Sequence, residues 1–186
     1  MISMGKGDTS SEAVTDGGDI IHAIEERIGS PELFVGRREE LSFFEEWVAN
    51  IPRKLSRSTA LLSRRKKGKT ALVERLYNIV YTQNNKVIPF YFEVKEGSKW
   101  VVDFADIFYR TFVSQYIGFK TRRIDFCREP KDIDTLEEAA RELGLTKVAE
   151  NIQVFRKALE DKELIDRIWD HAQSAPHRIA GLTGDY

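Results

Sequence analysis

Residues 63–70, SRRKKGKT, carry the signal on which the predicted fold depends. A short apolar run, TALL at residues 59–62, precedes it and favours a strand. After it, apolar side chains recur at positions 72, 73, 76, 79 and 80, which is the spacing of one helix face. A second apolar run, KVIPFYFEV at residues 86–94, is typical of a buried parallel strand, although Pro89 favours an edge position or a bulge. Together these segments predict one right-handed βαβ unit.

Residues 63–70 match the phosphate-binding loop G-x-x-x-x-G-K-[ST] at every fixed position except the first, where serine replaces glycine. Gly68 lets the main chain approach a phosphate without a Cβ, and the Lys69 ammonium reaches the β- and γ-phosphate oxygens. The Thr70 hydroxyl is the expected Mg²⁺ ligand, and the following helix adds partial positive charge. A positive φ at Ser63 would cost serine about 1 kcal/mol or more. The predicted cradle consists of Ser63, Arg64, Arg65, Lys66, Lys67, Gly68, Lys69 and Thr70.

Two boxes in this order resemble a known family. Residues 34–41, FVGRREEL, resemble the F-x-G-R-x-x-E-L box that opens AAA+ and related signal-transduction ATPase domains. Residues 63–72, SRRKKGKTAL, resemble the G-R-R-x-x-G-K-T-x-L phosphate loop, or Walker A motif, of these P-loop NTPases. The resemblance is to the archaeal-type ATPase family and covers residues 33–94. It implies binding of ATP with Mg²⁺, and it implies that the base lies beside Phe34, Val35, Gly36 and Arg37.

Hydrolysis requires more than this cradle. An acidic residue at the end of another apolar strand must hold Mg²⁺, and a further group must orient the attacking water. After Lys69 the sequence contains no apolar run that ends in paired acids; Asp103 falls in a helical pattern and Asp185 is the penultimate residue. In the resembled family this acidic motif follows a strand that begins about where the sequence stops. The resemblance therefore implies the N-terminal part of an ATPase domain, with its catalytic residues unassigned and its missing strands supplied by later sequence or another chain.

Further elements are predicted before and after this unit along the chain. Residues 1–19 are polar and glycine-rich, which indicates a flexible tail, and the apolar spacing over residues 20–28 predicts a short helix. Beyond the second strand the pattern is mostly helical over residues 98–186. The predicted fold class is therefore α/β, a P-loop NTPase-like βαβ unit with an incomplete parallel sheet and a helical C-terminal half. One domain is expected over residues 20–186, with its nucleotide-binding core at residues 33–94.

Periodic apolar residues divide the C-terminal half into predicted helices at residues 100–117, 135–143 and 146–175, the last being one helix or two.

Composition excludes several other classes. Lys and Arg total 29 against 30 Asp and Glu, so the net charge of -1 gives no overall attraction to nucleic acid or an anionic membrane. The single cysteine, Cys127, cannot form an intramolecular disulfide, and no apolar run is long enough to span a bilayer. We expect a soluble cytoplasmic protein.

Two alternatives to nucleotide binding stay open. A cluster of basic residues would attract nucleic-acid phosphates, although no interleaved aromatic residues accompany it. The chain would otherwise be a non-enzymatic interaction module, in which the helical half binds a partner protein or a second copy and the loop is degenerate. The basic cluster consists of Arg53, Lys54, Arg57, Arg64, Arg65, Lys66, Lys67 and Lys69.

Overall fold

The computed structural model describes residues 20–27, 36–64, 67–94, 97, 100–161 and 167–186. The predicted tail at residues 1–19 lies outside these ranges. No helix in the described ranges is long and apolar enough to cross a membrane. The described helices are α1 (Arg38–Ala49), α2 (Lys69–Gln83), α3 (Val101–Thr121), α4 (Ile124–Arg128), α5 (Ile133–Glu142), α6 (Thr146–Glu160), α7 (Ile168–Gln173) and α8 (Ala175–Thr183).

The predicted α/β fold with a parallel sheet is wrong, because the described ranges contain helices but no strand and no sheet. Residues 59–64 belong to no helix or strand, no strand is present among the described residues to pair with them, and Leu62 is 89% exposed instead of buried. Residues 86–94 likewise form neither a helix nor a strand. A strand requires a neighbouring segment that supplies a row of hydrogen-bond partners, and an apolar run does not specify one. The helix between the two segments, α2, forms as predicted.

The segment at residues 86–94 obtains part of its backbone hydrogen bonding from a side chain and from the residue Tyr186. The Gln115 side chain accepts from the Tyr91 N–H (2.8 Å) and donates to the Tyr91 carbonyl (2.9 Å), as a neighbouring strand would. At the other end, Ile88 N–H donates to the Tyr186 carbonyl (2.7 Å) and Tyr186 N–H donates to the Lys86 carbonyl (3.0 Å). One amide side chain and one residue near the end of α8 therefore hold this segment.

The helix predicted for residues 20–28 is a second error. Residues 20–27, called the strap below, are not helical and run along α2. Three α2 side chains spaced four residues apart accept from strap N–H groups, so the strap obtains from α2 the bonds that a helix would have made within itself. The bonds join Ile21 N–H to Thr82 Oγ1 (2.8 Å), Ile24 N–H to Asn78 Oδ1 (3.0 Å) and Arg27 N–H to Glu74 Oε2 (2.8 Å).

The C-terminal half packs around α3. This helix contacts α4, α5 and α7, while α6 packs against α5, α7 and α8. Fully buried aromatic side chains lie at the centre, where the Tyr109 ring of α3 stacks on the Phe155 ring of α6 with a centroid separation of 3.7 Å. The helices predicted at residues 100–117 and 135–143 correspond to α3 and α5, and the described residues of the predicted region 146–175 contain α6 and α7. The short helix α4 and the helix α8 were not predicted.

Candidate phosphate-binding site

The residue before α2 adopts the conformation that a tight loop requires. Gly68 has φ 72° and ψ 23°, in the left-handed region, and α2 begins at the next residue, Lys69. Glycine adopts this region without the strain that a side chain brings. Since the first N–H groups of a helix have no partner within the helix, this start leaves donors for an acceptor outside it. Ser63 is not among the described residues with positive φ, so the strain expected at that position does not arise.

The Lys69 side chain folds back over the beginning of the predicted phosphate loop, residues 63–70. Its ammonium donates to the Ser63 carbonyl at 2.7 Å, to Ser63 Oγ at 3.2 Å and to the Arg64 carbonyl at 3.3 Å. Lysine has three donors, and these three acceptors are neutral oxygens. An anionic phosphate oxygen makes a stronger hydrogen bond with an ammonium group than a neutral carbonyl does. The lysine is therefore positioned to exchange these partners for a phosphate.

Arg37 joins the upstream box to this loop. Its Nη2 donates to the Lys67 carbonyl, and its Nη1 lies 3.5 Å from Glu40 Oε1 one helical turn later in α1. A Cβ built on Gly68 would lie 3.9 Å from Arg37 Nε. The guanidinium therefore lies along the Lys67–Gly68 peptide, and Glu40 is a member of the site that sequence analysis did not identify.

The described members of the predicted site differ in exposure. Lys69 and Thr70 are half-buried in the first turn of α2, and Arg37 is half-buried against the loop. Gly36, with φ 85°, is exposed. Ser63, Arg64, Lys67 and Gly68 are exposed as well. The remaining predicted members, Phe34, Val35, Arg65 and Lys66, lie outside the described residues.

The acidic residues near α2 are engaged in other contacts. Burial raises the pKa of Glu74, which follows Thr70 by one helical turn. The Glu74 carboxylate accepts from Arg27 N–H and lies 3.4 Å from Arg27 Nε, while the Arg27 guanidinium also pairs with Glu93. Glu74 therefore anchors the strap. In the described ranges no group of three or more His, Cys, Asp or Glu side chains is arranged to hold a metal ion.

The two aspartates considered from the sequence do not join the loop. Asp103 lies in the first turn of α3. Asp185 accepts from the Tyr116 hydroxyl at 2.8 Å and pairs with Lys120 at 2.7 Å. Burial by itself would raise the pKa of Asp185, but the hydrogen bonds from Lys120 and Tyr116 outweigh burial, so the pKa is lowered. Its carboxylate fixes the end of the chain to α3.

The described part of the site thus combines a left-handed glycine, the start of a 15-residue helix and two cationic side chains, Lys69 and Arg37. This combination is suited to a polyanion, because the N–H groups at the start of a helix and cationic side chains both bind negatively charged groups. Comparison with protein-family models, with curated proteins and with solved structures finds no match for the chain.

Proposed function

We propose that this chain binds ATP with Mg²⁺ through residues 63–70. The observation that carries the proposal is the juxtaposition of left-handed Gly68, the start of α2 and the Lys69 ammonium folded over Ser63 and Arg64. The choice of ATP over other phosphates comes from the resemblance to archaeal-type ATPases. The proposal depends on the loop and on α2, and it requires no parallel sheet.

Each residue of the loop has a distinct role in the proposal. The Lys69 ammonium exchanges the two carbonyls for β- and γ-phosphate oxygens, and main-chain N–H groups at the start of α2 donate to the phosphates. The Thr70 hydroxyl is the protein ligand of Mg²⁺, which neutralises phosphate charge when bound. Phe34, Val35 and Gly36 stay the predicted neighbours of the base.

The proposal is limited to binding. Because Glu74 and Asp185 are engaged elsewhere and Asp103 lies on α3, we assign no catalytic acid or base to the described residues. The proposed ligand and the lone Cys127 both suit the reducing cytoplasm, which is the compartment that we propose.

Replacing Lys69 with alanine tests the proposal directly. We expect Lys69→Ala to weaken ATP·Mg²⁺ binding at least about tenfold, because it removes a charge-assisted hydrogen bond to phosphate. The measurement is isothermal titration calorimetry on the full chain. Lys157→Ala, at an exposed lysine near the end of α6, is the matched control and is expected to bind like the wild type. Equal binding by both variants, or no binding by the wild type, would refute the proposal.

Gly68→Ala tests the conformation of the loop. The left-handed region costs alanine about 1 to 2 kcal/mol, so we expect the loop of Gly68→Ala to leave this conformation. ATP affinity should then fall by about tenfold. Gly144→Ala is the control, because Gly144 has a similar φ of 67° but lies between α5 and α6. Both variants should lose thermal stability to a similar extent, and only Gly68→Ala should lose affinity. A Gly68→Ala protein with wild-type affinity would exclude a role for this conformation.

A protein-interaction module is the second candidate. Apolar side chains are exposed around the start of α3, with Trp100 83%, Val94 70% and Val101 59% exposed. Such exposure is typical of surfaces that contact another molecule. Light scattering across a range of protein concentrations, with and without ATP, distinguishes the two: self-association that is independent of nucleotide favours the module.

The alternative of nucleic-acid binding by the basic cluster has its own test. Binding of an oligonucleotide by this cluster would be weakened strongly by added salt.

A further inference from the structure

We propose that Arg37 is a positioning residue of the phosphate loop, which fixes the Lys67–Gly68 peptide so that the Gly68 N–H is presented to a bound phosphate. This inference rests on the proposed function of residues 63–70. It gives Arg37 a role on the loop itself, whereas the resemblance to archaeal-type ATPases places this residue beside the base.

The contacts of Arg37 support this role. The Nη2 group donates to the Lys67 carbonyl, and the Nη1 group faces Glu40 on the following turn of α1. The Arg37–Glu40 pair is an i,i+3 ion pair, with the arginine side chain 22% exposed and the glutamate 45% exposed. The planar guanidinium is therefore held from two sides, by the loop carbonyl and by a carboxylate.

The geometry of the peptide bond transmits this contact to the phosphate side. A trans peptide is planar, so its C=O and N–H groups point in opposite directions. A Lys67 carbonyl directed at Arg37 therefore directs the Gly68 N–H away from Arg37. The described residues contain no cis peptide bond, so this geometry applies to the Lys67–Gly68 peptide. The direction of the Gly68 N–H is thus set by Arg37, which lies on the opposite side of the peptide.

Glycine makes this support necessary. With no Cβ, Gly68 accommodates several orientations of the preceding peptide at little steric cost, so sterics alone do not fix the direction of its N–H. The Arg37 bond selects one orientation before any ligand arrives. Such pre-organisation improves affinity because binding then orders less of the loop.

The experiment compares ligands that carry phosphate, base or both. ATP·Mg²⁺, inorganic tripolyphosphate and adenosine are titrated into the full-length wild type, Arg37→Ala, Arg37→Lys and the neighbouring control Arg38→Ala. We expect Arg37→Ala to weaken ATP and tripolyphosphate by about tenfold and to leave adenosine unchanged. Arg37→Lys should recover only part of the loss, because an ammonium lacks the planar fork that contacts carbonyl and carboxylate together. Arg38→Ala, at an exposed arginine, should bind like the wild type.

A second variant tests the same contact without altering the arginine. Glu40→Gln removes the charge that braces Arg37 and should weaken tripolyphosphate binding in the same direction but by less than Arg37→Ala. Wild-type affinity for tripolyphosphate in Arg37→Ala would overturn the inference, as would an equal loss for adenosine and ATP, which would assign Arg37 to the base. If Lys69→Ala also binds ATP like the wild type, the proposed function fails; if Lys69 is required and Arg37 is not, only the positioning role fails.

Discussion

Replacing Phe155 with alanine is expected to lower the free energy of unfolding by about 4 kcal/mol. The Phe155 side chain is fully buried on α6 and stacks on Tyr109 of α3. Its ring also lies 5.8 Å from the ring of His171 on α7, so it fills a space where three helices meet. Truncation removes these contacts and leaves a cavity, because surrounding helices relax only in part.

Urea denaturation followed by circular dichroism measures this loss. Val154→Ala is the matched control, since Val154 is the preceding residue on the same helix and is 52% exposed. We expect the control to change the free energy of unfolding by less than about 0.5 kcal/mol. A loss below about 1 kcal/mol in Phe155→Ala would mean that α3, α6 and α7 do not share this core.

The helices of the C-terminal half were predictable because their signals are local. Apolar residues recur at helical spacing through α3, α5 and α6, and each of these segments is long enough for the period to be distinguished from that of a strand. Local capping agrees with the pattern, since the Asp132 side chain accepts from Thr135 N–H at 2.9 Å at the start of α5. Period and cap therefore specify the same element.

The predicted sheet failed because its signal was not local. An apolar run such as residues 86–94 favours a strand, yet these residues form none. Pairing depends on a distant partner, which no pattern within the run identifies. In place of a strand, Gln115 of α3 supplies two bonds to Tyr91.

The local backbone structure around Gly68 was predictable from the sequence, but its long-range contacts were not. The positions of Gly68 and Lys69 at the start of α2 follow from the motif, because a tight turn into a helix requires that glycine. The Arg37 contact with Lys67 joins residues 30 positions apart, and neither spacing nor composition indicates it. Long-range side-chain contacts of this kind need the tertiary structure, since they depend on where α1 lies beside the loop.

The strap shows how tertiary contacts override a local helical pattern. Its apolar residues have helical spacing, but the stripe formed by Glu74, Asn78 and Thr82 on α2 binds the strap backbone in a non-helical form. The strap also brings a carboxylate into the interior. The Glu26 side chain is 1% exposed and lies 3.0 Å from Arg75 Nε, whose side chain is 5% exposed.

Glu26→Gln is therefore expected to lower the free energy of unfolding by about 3 kcal/mol. Glutamine keeps an oxygen that can accept from Asn78 Nδ2, now 2.9 Å from Glu26 Oε1, but it leaves the buried Arg75 charge opposite a neutral amide. The strap should also loosen, so hydrogen exchange at the Ile24 N–H, which donates to Asn78, should accelerate.

The neighbouring substitution Glu25→Gln provides the control, because it removes the same charge from an exposed side chain of the strap. Exposed charges contribute little to stability, so we expect Glu25→Gln to stay within about 0.5 kcal/mol of the wild type and to leave exchange at Ile24 unchanged. Urea denaturation and amide exchange on the three proteins measure both effects. Equal behaviour of the two variants would show that net charge, and not the buried Glu26 carboxylate, governs how the strap is held. A loss confined to Glu26→Gln would show that this carboxylate, which lies 3.0 Å from Arg75 Nε and 3.2 Å from His22 Nδ1, holds the strap against α2.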